Sequence, residues 1–517
     1  MGVRAILSLE RRETRHHQRT TIELNSDGKV NGQILPSIAK FSLVIGLGCF
    51  LGLGVLFLAG KELRWLMMPA LVLFAAIFIM VVPAKQKVLT TIFVLSFQID
   101  MYLRFFYGRA GSNEGLALPL VVIAGAILAG WYYFSGNIRG FDWGGSMRRP
   151  IAALLIIMVV SVAASSEKFL GLSALVYTLE YYFLYWLAFN IVRTQQDFKR
   201  VILIILITLA MQSLVYFAQS AMGITFDFLG NTIEEEVVPR PGGTVSSNPA
   251  GFVSFIMPAL MMASAVALSL QRQLPGAFAV PLMFMGIAAV GLSFTRAAWV
   301  GLVFGFIAII WISARRRWLY PRMIVAVAVV VAIGLIALLP QMLQRASSDY
   351  GSTGVGATAE AYNERMGLNI IAFNVIAHHP LLGVGPGAYS HEFKAYVPAG
   401  MNQWLFTVHN QYLLWAAETG IPGGIAFIVF LVAGFRIALR LSRAPPSLVS
   451  VCATGWFGAM VVLAWMMFWV PWIGFSYNAM FWFMLGLMDG AQRLVPPCPR
   501  TRLKMTGTVF QSRNQLR

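Results

Sequence analysis

The chain has 517 residues, of which 58% are hydrophobic and only 12% are charged. A water-soluble protein of this length needs far more charge on its surface, so the composition excludes an ordinary soluble domain and indicates a membrane protein. The formal net charge of +18 is spread over many short segments instead of one soluble face, which argues against a nucleic-acid partner.

Fourteen apolar runs recur along the chain, each read as a segment crossing a hydrocarbon layer of about 30 Å. They lie at 38–60, 66–82, 86–103, 116–134, 150–165, 169–192, 200–222, 249–270, 275–292, 297–314, 321–340, 410–439, 449–470 and 474–491. The run at 86–103 is the weakest, because Gln98 and Asp100 interrupt it. We therefore predict an all-α polytopic membrane protein with about 14 transmembrane helices.

The Lys and Arg residues indicate the orientation of these helices. With a cytoplasmic N-terminus, about three quarters of them fall on the inner side, as the positive-inside rule requires. Facing an anionic leaflet, they account for the net charge without nucleic acid. The predicted organisation is a cytoplasmic basic tail at 1–37, eleven spans within 38–340, a large periplasmic loop at 341–408, three spans within 409–491 and a cytoplasmic tail at 492–517.

Two predicted outer loops are much longer than the other connections, one at 223–248 and one at 341–408. Long loops on a compact scaffold are usually functional or disordered. In the second loop, Met366, Ile370, Phe373 and Ala377 recur at helical spacing. This spacing predicts a helix at 358–378 that lies on the outer membrane surface with its apolar side toward the lipid.

His409 directly precedes the apolar run at 410–439, so the predicted topology places its imidazole at the outer mouth of the bundle. The positive end of the helix dipole and nearby arginines both disfavour the imidazolium form. A neutral imidazole is what a general base requires near pH 7. The alternative is a histidine that only hydrogen-bonds the loop at the start of the helix.

Arg296 and Arg365 are candidate cations on the same outer side. Arg296 lies between two apolar runs that are joined almost without a loop, where an arginine must pair or reach solvent. It is either a ligand for phosphate oxygens or an interfacial anchor whose stem snorkels. Arg365 by itself is most often a solvated helix residue that pairs with Glu360 or Glu364.

Other polar residues have ordinary alternatives. Arg240 follows three glutamates, so a loop ion pair is its simplest role. Glu180 and Glu418 lie inside predicted spans, where an acid is either functional or a buried cap or partner. The GVGPG stretch at 383–387 resembles a phosphate loop only superficially, because no strand precedes it. The three cysteines have neither disulfide nor metal-site spacing.

Four segments between Arg240 and Gly424 together resemble the O-antigen ligase and O-antigen polymerase superfamily. They are RPGGTVSSNPAGF at 240–252, LSFTRAAWVG at 292–301, ERMGLNIIAFNVIAHHPLLGVGPGAY at 364–389 and HNQYLLWAAETGIPGG at 409–424. The resemblance implies a fold similar to the class C glycosyltransferases and an enzyme that uses no metal or other cofactor. It also implies a place in O-antigen, capsule or exopolysaccharide synthesis.

The implied reaction moves a glycan from undecaprenyl diphosphate to an acceptor saccharide, either a growing glycan or lipid A core. It takes place on the periplasmic face of the bacterial inner membrane. By the same resemblance, Arg296 and Arg365 hold the donor diphosphate and His409 takes the proton from the acceptor hydroxyl. Asn410 orients the imidazole or the sugar.

Arg240 and Asn248 fall in a loop that resembles one in the family, and the resemblance makes them candidate accessory residues.

The leaving diphosphate gains negative charge, which a metal or fixed cations must stabilise. The sequence has no Asp-x-Asp pair, so arginines are the available cations. In-line attack by an activated hydroxyl then predicts inversion at the anomeric carbon, since retention needs a carboxylate nucleophile.

Two other readings stay open. A flippase or transporter of lipid-linked glycans also has many spans, but it should place ionisable residues near the bilayer midplane and often shows inverted repeats. A class C glycosyltransferase that uses a polyprenyl monophosphate sugar tends to have acidic residues in its first outer loop. Here that loop is KELRW, in which Glu62 is the only acid.

Overall fold

A computed structural model describes residues 85–104, 116–223, 241–246, 248–270, 276–318, 355–399 and 407–496, with isolated residues between 321 and 340. The chain divides into two compact units, Met1–Lys85 and Gln86–Arg517, and the elements below belong to the second, apart from Lys85 itself. Outside the described residues lie Arg240 and the predicted tail at 1–37, the spans at 38–60 and 66–82, most of the span at 321–340, most of the loop at 223–248 and the chain after residue 496.

The described part is mostly helical. Its helices are α1 (Lys85–Ser96), α2 (Leu120–Phe134), α3 (Arg148–Ala164), α4 (Lys168–Ile191), α5 (Gln195–Met222), α6 (Pro249–Leu268), α7 (Gly276–Leu292), α8 (Arg296–Arg315), α9 (Val355–His378), α10 (Tyr389–Glu392), α11 (Gln411–Ser442), α12 (Leu448–Met466) and α13 (Phe475–Ala491). Two short strands, β1 (Tyr102–Arg104) and β2 (Ala117–Pro119), pair in antiparallel fashion.

Among the described helices, α5, α6, α8, α11 and α12 are long and apolar enough to cross a membrane. The predicted class, an all-α membrane protein, is therefore confirmed, whereas the number of fourteen spans stays a prediction. The predicted span at 86–103 is wrong in its second half, since α1 ends at Ser96. The helix ends because polar groups of this segment bond to a distant loop. The Thr244 carbonyl accepts from the Asp100 amide at 3.3 Å, and the Thr244 hydroxyl donates to the Gln98 carbonyl.

Helices α8 and α12 pack closely in an antiparallel register. Gly301 faces Trp465, and Gly305 faces Val462, where an added Cβ would lie only 2.6 Å from the valine side chain. Helical rise of about 1.5 Å per residue extends this register beyond Gly301. It places Arg296, the first residue of α8, level with the end of α12.

Helix α9 has two apolar faces. The sequence predicts a helix at 358–378, and the structure has one at Val355–His378. One face is buried in a core with the segments that precede and begin α11; its members include Leu368, Ile371, Ala372, Val375, Val384, Tyr389, Val408 and Leu414. The other face keeps the predicted stripe exposed, with Met366, Ile370 and Phe373 at 43%, 43% and 58%. Two apolar faces suit a helix that lies between protein and lipid.

Helix α11 is broken at Gly420, whose φ of 75° and ψ of 174° are not helical. The part after this break is by itself long enough to cross about 30 Å of hydrocarbon. Its outward face is apolar and exposed, at Ile421, Ile425, Ile428, Val429 and Val432. The residues before Gly420, including the start of α11 beside His409, thus form a separate short helix at one end of the bundle, here called the His409 end.

Candidate functional site

His409 is held by its own loop just before α11. Its Nδ1 lies 3.0 Å from the Thr407 carbonyl oxygen. Because a carbonyl can only accept, Nδ1 carries a proton, and the neutral imidazole presents the lone pair on Nε2. The pKa of His409 is lowered by burial and next by the positive charge of Arg365, against a smaller opposite effect of the Thr407 carbonyl. The arrangement therefore favours a neutral ring whose Nε2 can accept a proton.

Arg365 reaches this imidazole from a different element. It lies on α9, more than forty residues before His409, with an exposed side chain. Its positive charge nevertheless helps to lower the pKa of His409. A cation beside a proton acceptor is the arrangement expected where an anion is bound next to a general base.

Arg296 begins α8, at the His409 end of the bundle. The preceding Phe294 has a φ of 51°, an uncommon backbone conformation for a bulky residue that turns the chain sharply from α7 into α8. Trp299 holds this turn by donating its indole N–H to the Val290 carbonyl at 3.1 Å. The Arg296 side chain is exposed, so it can meet an anion in solution.

The connection between Arg296 and His409 runs through the end of α12. The amide of Gln411 donates to the Met467 carbonyl at 2.8 Å, and Met467 directly follows α12. The register of α8 and α12 puts Arg296 at the same level. The structure thus places Arg365 where its charge affects the pKa of His409 and sets Arg296 at the same end of the bundle.

Asn248 and Asn410 both serve as helix caps. The Asn248 carboxamide accepts from the Gly251 amide at 2.8 Å, at the start of α6. The Asn410 carboxamide accepts from the amides of Tyr412 and Leu413 at 3.0 and 3.1 Å. In both residues the side-chain oxygen satisfies free N–H groups of the first turn. An asparagine just before an apolar run is a sequence signal for a helix cap. The family resemblance did not imply this capping role for either asparagine.

The GVGPG stretch at 383–387 and the GIPGG stretch at 420–424 form one joint, although 32 residues lie between them. The amides of Val384 and Gly385 donate to the carbonyls of Ala417 and Glu418 at 3.0 and 2.9 Å. A Cβ on Gly383 would lie 2.4 Å from the Glu418 carbonyl oxygen, and one on Gly420 would lie 2.3 Å from the Leu381 oxygen. Glycine is needed at these positions because the two backbones are in contact and leave no room for a Cβ. The amides of the loop also donate to carbonyls of α11 that the break leaves without a partner inside the helix.

Helix α3 and the Glu418 side chain complete this joint. The Ser161 hydroxyl donates to the carbonyl oxygens of Leu382 and Glu418 at 2.6 and 3.0 Å. The Ser165 hydroxyl donates to the Val384 carbonyl at 3.0 Å. Backbone amides of the glycine loop, at Gly387 and Tyr389, donate to the carboxylate of Glu418. Glu418 therefore has a structural role that the sequence left open, holding the loop that precedes His409.

Part of the chain matches a known protein family. Residues 281–428 match the family model described as O-antigen ligase. The matched stretch contains Arg296, Arg365, His409 and both glycine motifs, whereas Arg240 and Asn248 precede it. No curated protein matches the chain.

Proposed function

We propose that the chain transfers a glycan from undecaprenyl diphosphate to a saccharide acceptor, because its residues 281–428 match the O-antigen ligase family model. The coarse assignment, a multi-pass membrane protein of a glycosyltransferase family, follows from the family match together with the long apolar helices. The donor, the acceptor, the bacterial inner membrane and its periplasmic face are parts of the proposal. The acceptor is either lipid A core or a growing glycan.

The observation that supports this function most is the neutral imidazole beside a guanidinium. His409 keeps Nε2 available as an acceptor while Nδ1–H is engaged with Thr407. In the proposed reaction Nε2 takes the proton of the acceptor hydroxyl, whose oxygen attacks the anomeric carbon of the donor glycan. The bond from that carbon to the diphosphate oxygen breaks on the opposite face, so the configuration inverts.

Arg296 and Arg365 stabilise the departing diphosphate in this proposal. A guanidinium contacts phosphate oxygens in bidentate fashion and stays charged at any physiological pH. Fixed cations aimed at the charge that develops on a leaving group are an effective way to lower a barrier. The reaction is proposed to need no metal ion, and unchanged activity in EDTA is the expected result.

Helix α9 is proposed to rest at the outer surface of the membrane. Its exposed face bears Met366, Ile370 and Phe373, and its C-terminal connection meets the membrane-crossing part of α11 where Ile421 donates its amide to the Pro380 carbonyl at 2.8 Å. An apolar stripe that continues into a membrane-crossing helix suits the bilayer interface, where a polyprenyl donor arrives.

Glycan transfer by the purified protein from undecaprenyl diphosphate-linked glycan tests the function. We expect His409→Ala to lower kcat by about 10²–10⁴, the usual contribution of a general base, while donor binding persists. Arg296→Ala and Arg365→Ala should weaken donor binding instead. His378→Ala is a matched control, because His378 is an exposed imidazole whose Nδ1 bonds only to its own helix at Asn374. Wild-type rates in His409→Ala would refute the assignment of the base.

A further inference from the structure

A group of phenols and carboxylates surrounds the first turn of α13, and none of its members is used in the reaction proposed above. Its members, here called the phenol–carboxylate cluster, are Asp100, Tyr102, Tyr177, Glu180, Tyr181 and Tyr477. The ring of Phe475 lies at its centre, with the rings of Tyr102, Tyr177 and Tyr181 at centroid distances of 6.2, 6.2 and 4.9 Å. The Tyr181 hydroxyl interacts electrostatically with both carboxylates, Asp100 and Glu180.

The two carboxylates differ in how they are satisfied. Asp100 accepts from the hydroxyls of Tyr102 and Ser476, which fix its orientation. Glu180 has a buried carboxylate oxygen, Oε2, with no hydrogen-bond partner in the described part of the chain. A buried carboxylate oxygen is costly without a donor, and such an orphan calls for an explanation, for example a ligand that supplies the donor.

Three members of the cluster on α4 keep part of their surface exposed. Tyr177, Glu180 and Tyr181 are only partly buried, although Tyr177 and Tyr181 face α13. Helix α13 runs parallel to α4, because Cβ atoms added at Gly486 and Gly490 would meet the carbonyl oxygens of Tyr185 and Phe189. Ala174 of α4 contacts the glycine loop, where a Cβ added to Gly387 would lie 3.5 Å away. The part of α4 that carries the cluster therefore directly follows its contact with the glycine loop.

A short path of contacts joins the cluster to the candidate base. Tyr477 packs edge-on against Trp472 at 5.6 Å. The amide of Trp472 donates to Gln411 at 2.7 Å, two residues after His409. Trp472 is only 5% exposed, and its indole N–H has no hydrogen-bond partner among the described residues. The Trp472 indole N–H is therefore a second buried polar group without a hydrogen-bond partner in the described part of the chain, and it lies beside the cluster.

We propose that the phenol–carboxylate cluster binds the sugar hydroxyls of a glycan substrate next to His409. Sugar hydroxyls donate to carboxylates, which have several acceptor sites, and exchange hydrogen bonds with phenols and an indole N–H. Aromatic rings offer apolar surface to the C–H faces of a sugar. The Asp100 carboxylate would repel a diphosphate, which the proposed function assigns to the arginines. The inference rests on the proposed function for the origin of the glycan, but sugar binding itself is measurable alone.

Tryptophan fluorescence of the purified full-length protein tests the binding. Two probes are titrated separately: the free oligosaccharide released by mild acid from the host's lipid-linked donor, and the host's delipidated acceptor saccharide. We expect one probe to bind the wild-type protein and to bind Glu180→Gln and Tyr181→Phe at least tenfold more weakly, since a site built for hydroxyls loses much when a partner is removed. The probe that responds tells whether the cluster holds the donor glycan or the acceptor.

The control variants are Glu167→Gln and Tyr182→Phe. Both lie on or directly before α4, and Tyr182 donates instead to the Trp143 carbonyl at 2.6 Å. Binding of neither probe to the wild type, or a loss below tenfold in both cluster variants, overturns the proposal. If Glu180→Gln fails to fold, by size-exclusion profile and melting temperature, Tyr181→Phe and Tyr177→Phe decide on the same tenfold criterion. Oligosaccharide binding without any glycan transfer would leave the cluster standing and refute the proposed function.

Discussion

At the scale of single residues, His409 owes its proposed reactivity to two neighbours with different effects. The Thr407 carbonyl settles which ring nitrogen carries the proton. Burial and the charge of Arg365 keep the ring neutral by lowering its pKa. The side chain that the sequence marks as a base is therefore held in the form that a base needs, through contacts that a linear sequence does not reveal.

The pH dependence of transfer follows from this arrangement. A lowered pKa keeps His409 neutral at and above its ordinary value of about 6.5, so kcat/KM should be flat there and fall only at more acidic pH. Arg365→Gln removes a positive charge that opposes protonation, and we expect the acid limb of the pH–rate profile to move to higher pH. The measurement is kcat/KM against pH at saturating second substrate, for both proteins.

Lys394→Gln provides the comparison for this shift. Lys394 is an exposed cation in the same part of the chain, so its removal should lower the local positive charge without moving the acid limb. An Arg365→Gln profile that coincides with the wild type would show that the limb reports another group.

At the scale of elements, the glycine joint decides where His409 lies. The loop at 380–388 is bonded to the break in α11, and the short helix before that break begins two residues after His409. Gly420 has a φ of 75°, and an added Cβ would strike the Leu381 carbonyl. The broken helix and the loop thus form one unit, and a change in either should disturb both.

Gly420→Ala is expected to destabilise this unit by at least about 2 kcal/mol, from left-handed backbone strain together with overpacking. The measurement is the melting temperature and monodisperse fraction of the detergent-purified protein. Gly130→Ala is the control, because a Cβ at this position of α2 would meet nothing within 4 Å. It should be neutral or slightly stabilising, since alanine favours a helix over glycine. Equal melting of Gly420→Ala and wild type would contradict the joint.

At the scale of the whole molecule, the proposed function requires the His409 end to face the periplasm. The three native cysteines are first replaced, and single cysteines are introduced at the exposed positions Lys394 and Pro446. They lie on opposite sides of the membrane-crossing part of α11. We expect a membrane-impermeant maleimide to label Lys394→Cys in intact spheroplasts and Pro446→Cys only after permeabilisation, as the positive-inside rule predicts. The reversed pattern would put the candidate site in the cytoplasm.

Much of this protein was predictable because a bilayer imposes simple demands on a sequence. Backbone groups in hydrocarbon must be satisfied within a helix, so each long apolar run reports a helix and its approximate ends. The positions of α4, α6, α8 and α11 follow closely from composition. His409 and Arg296 are identifiable because each interrupts or precedes such a run. The prediction of one span at 86–103 was wrong because the polar residues of this run bond to a distant loop.

The tertiary structure decided which of these elements meet. Arg365 acts on His409 across more than forty residues, and Thr244 ends a helix that lies far earlier in the chain. In the sequence the glycine motifs indicate only turns, whereas the structure shows that the backbones of 381–385 and 417–421 are in contact. The sequence likewise marks Glu180 only as an acid in an apolar run, whereas the structure shows one of its oxygens without a hydrogen-bond partner in the described residues. The physical reason is common to all four: apolar periodicity is a local property, whereas charge, hydrogen bonding and close packing depend on neighbours brought together only by folding.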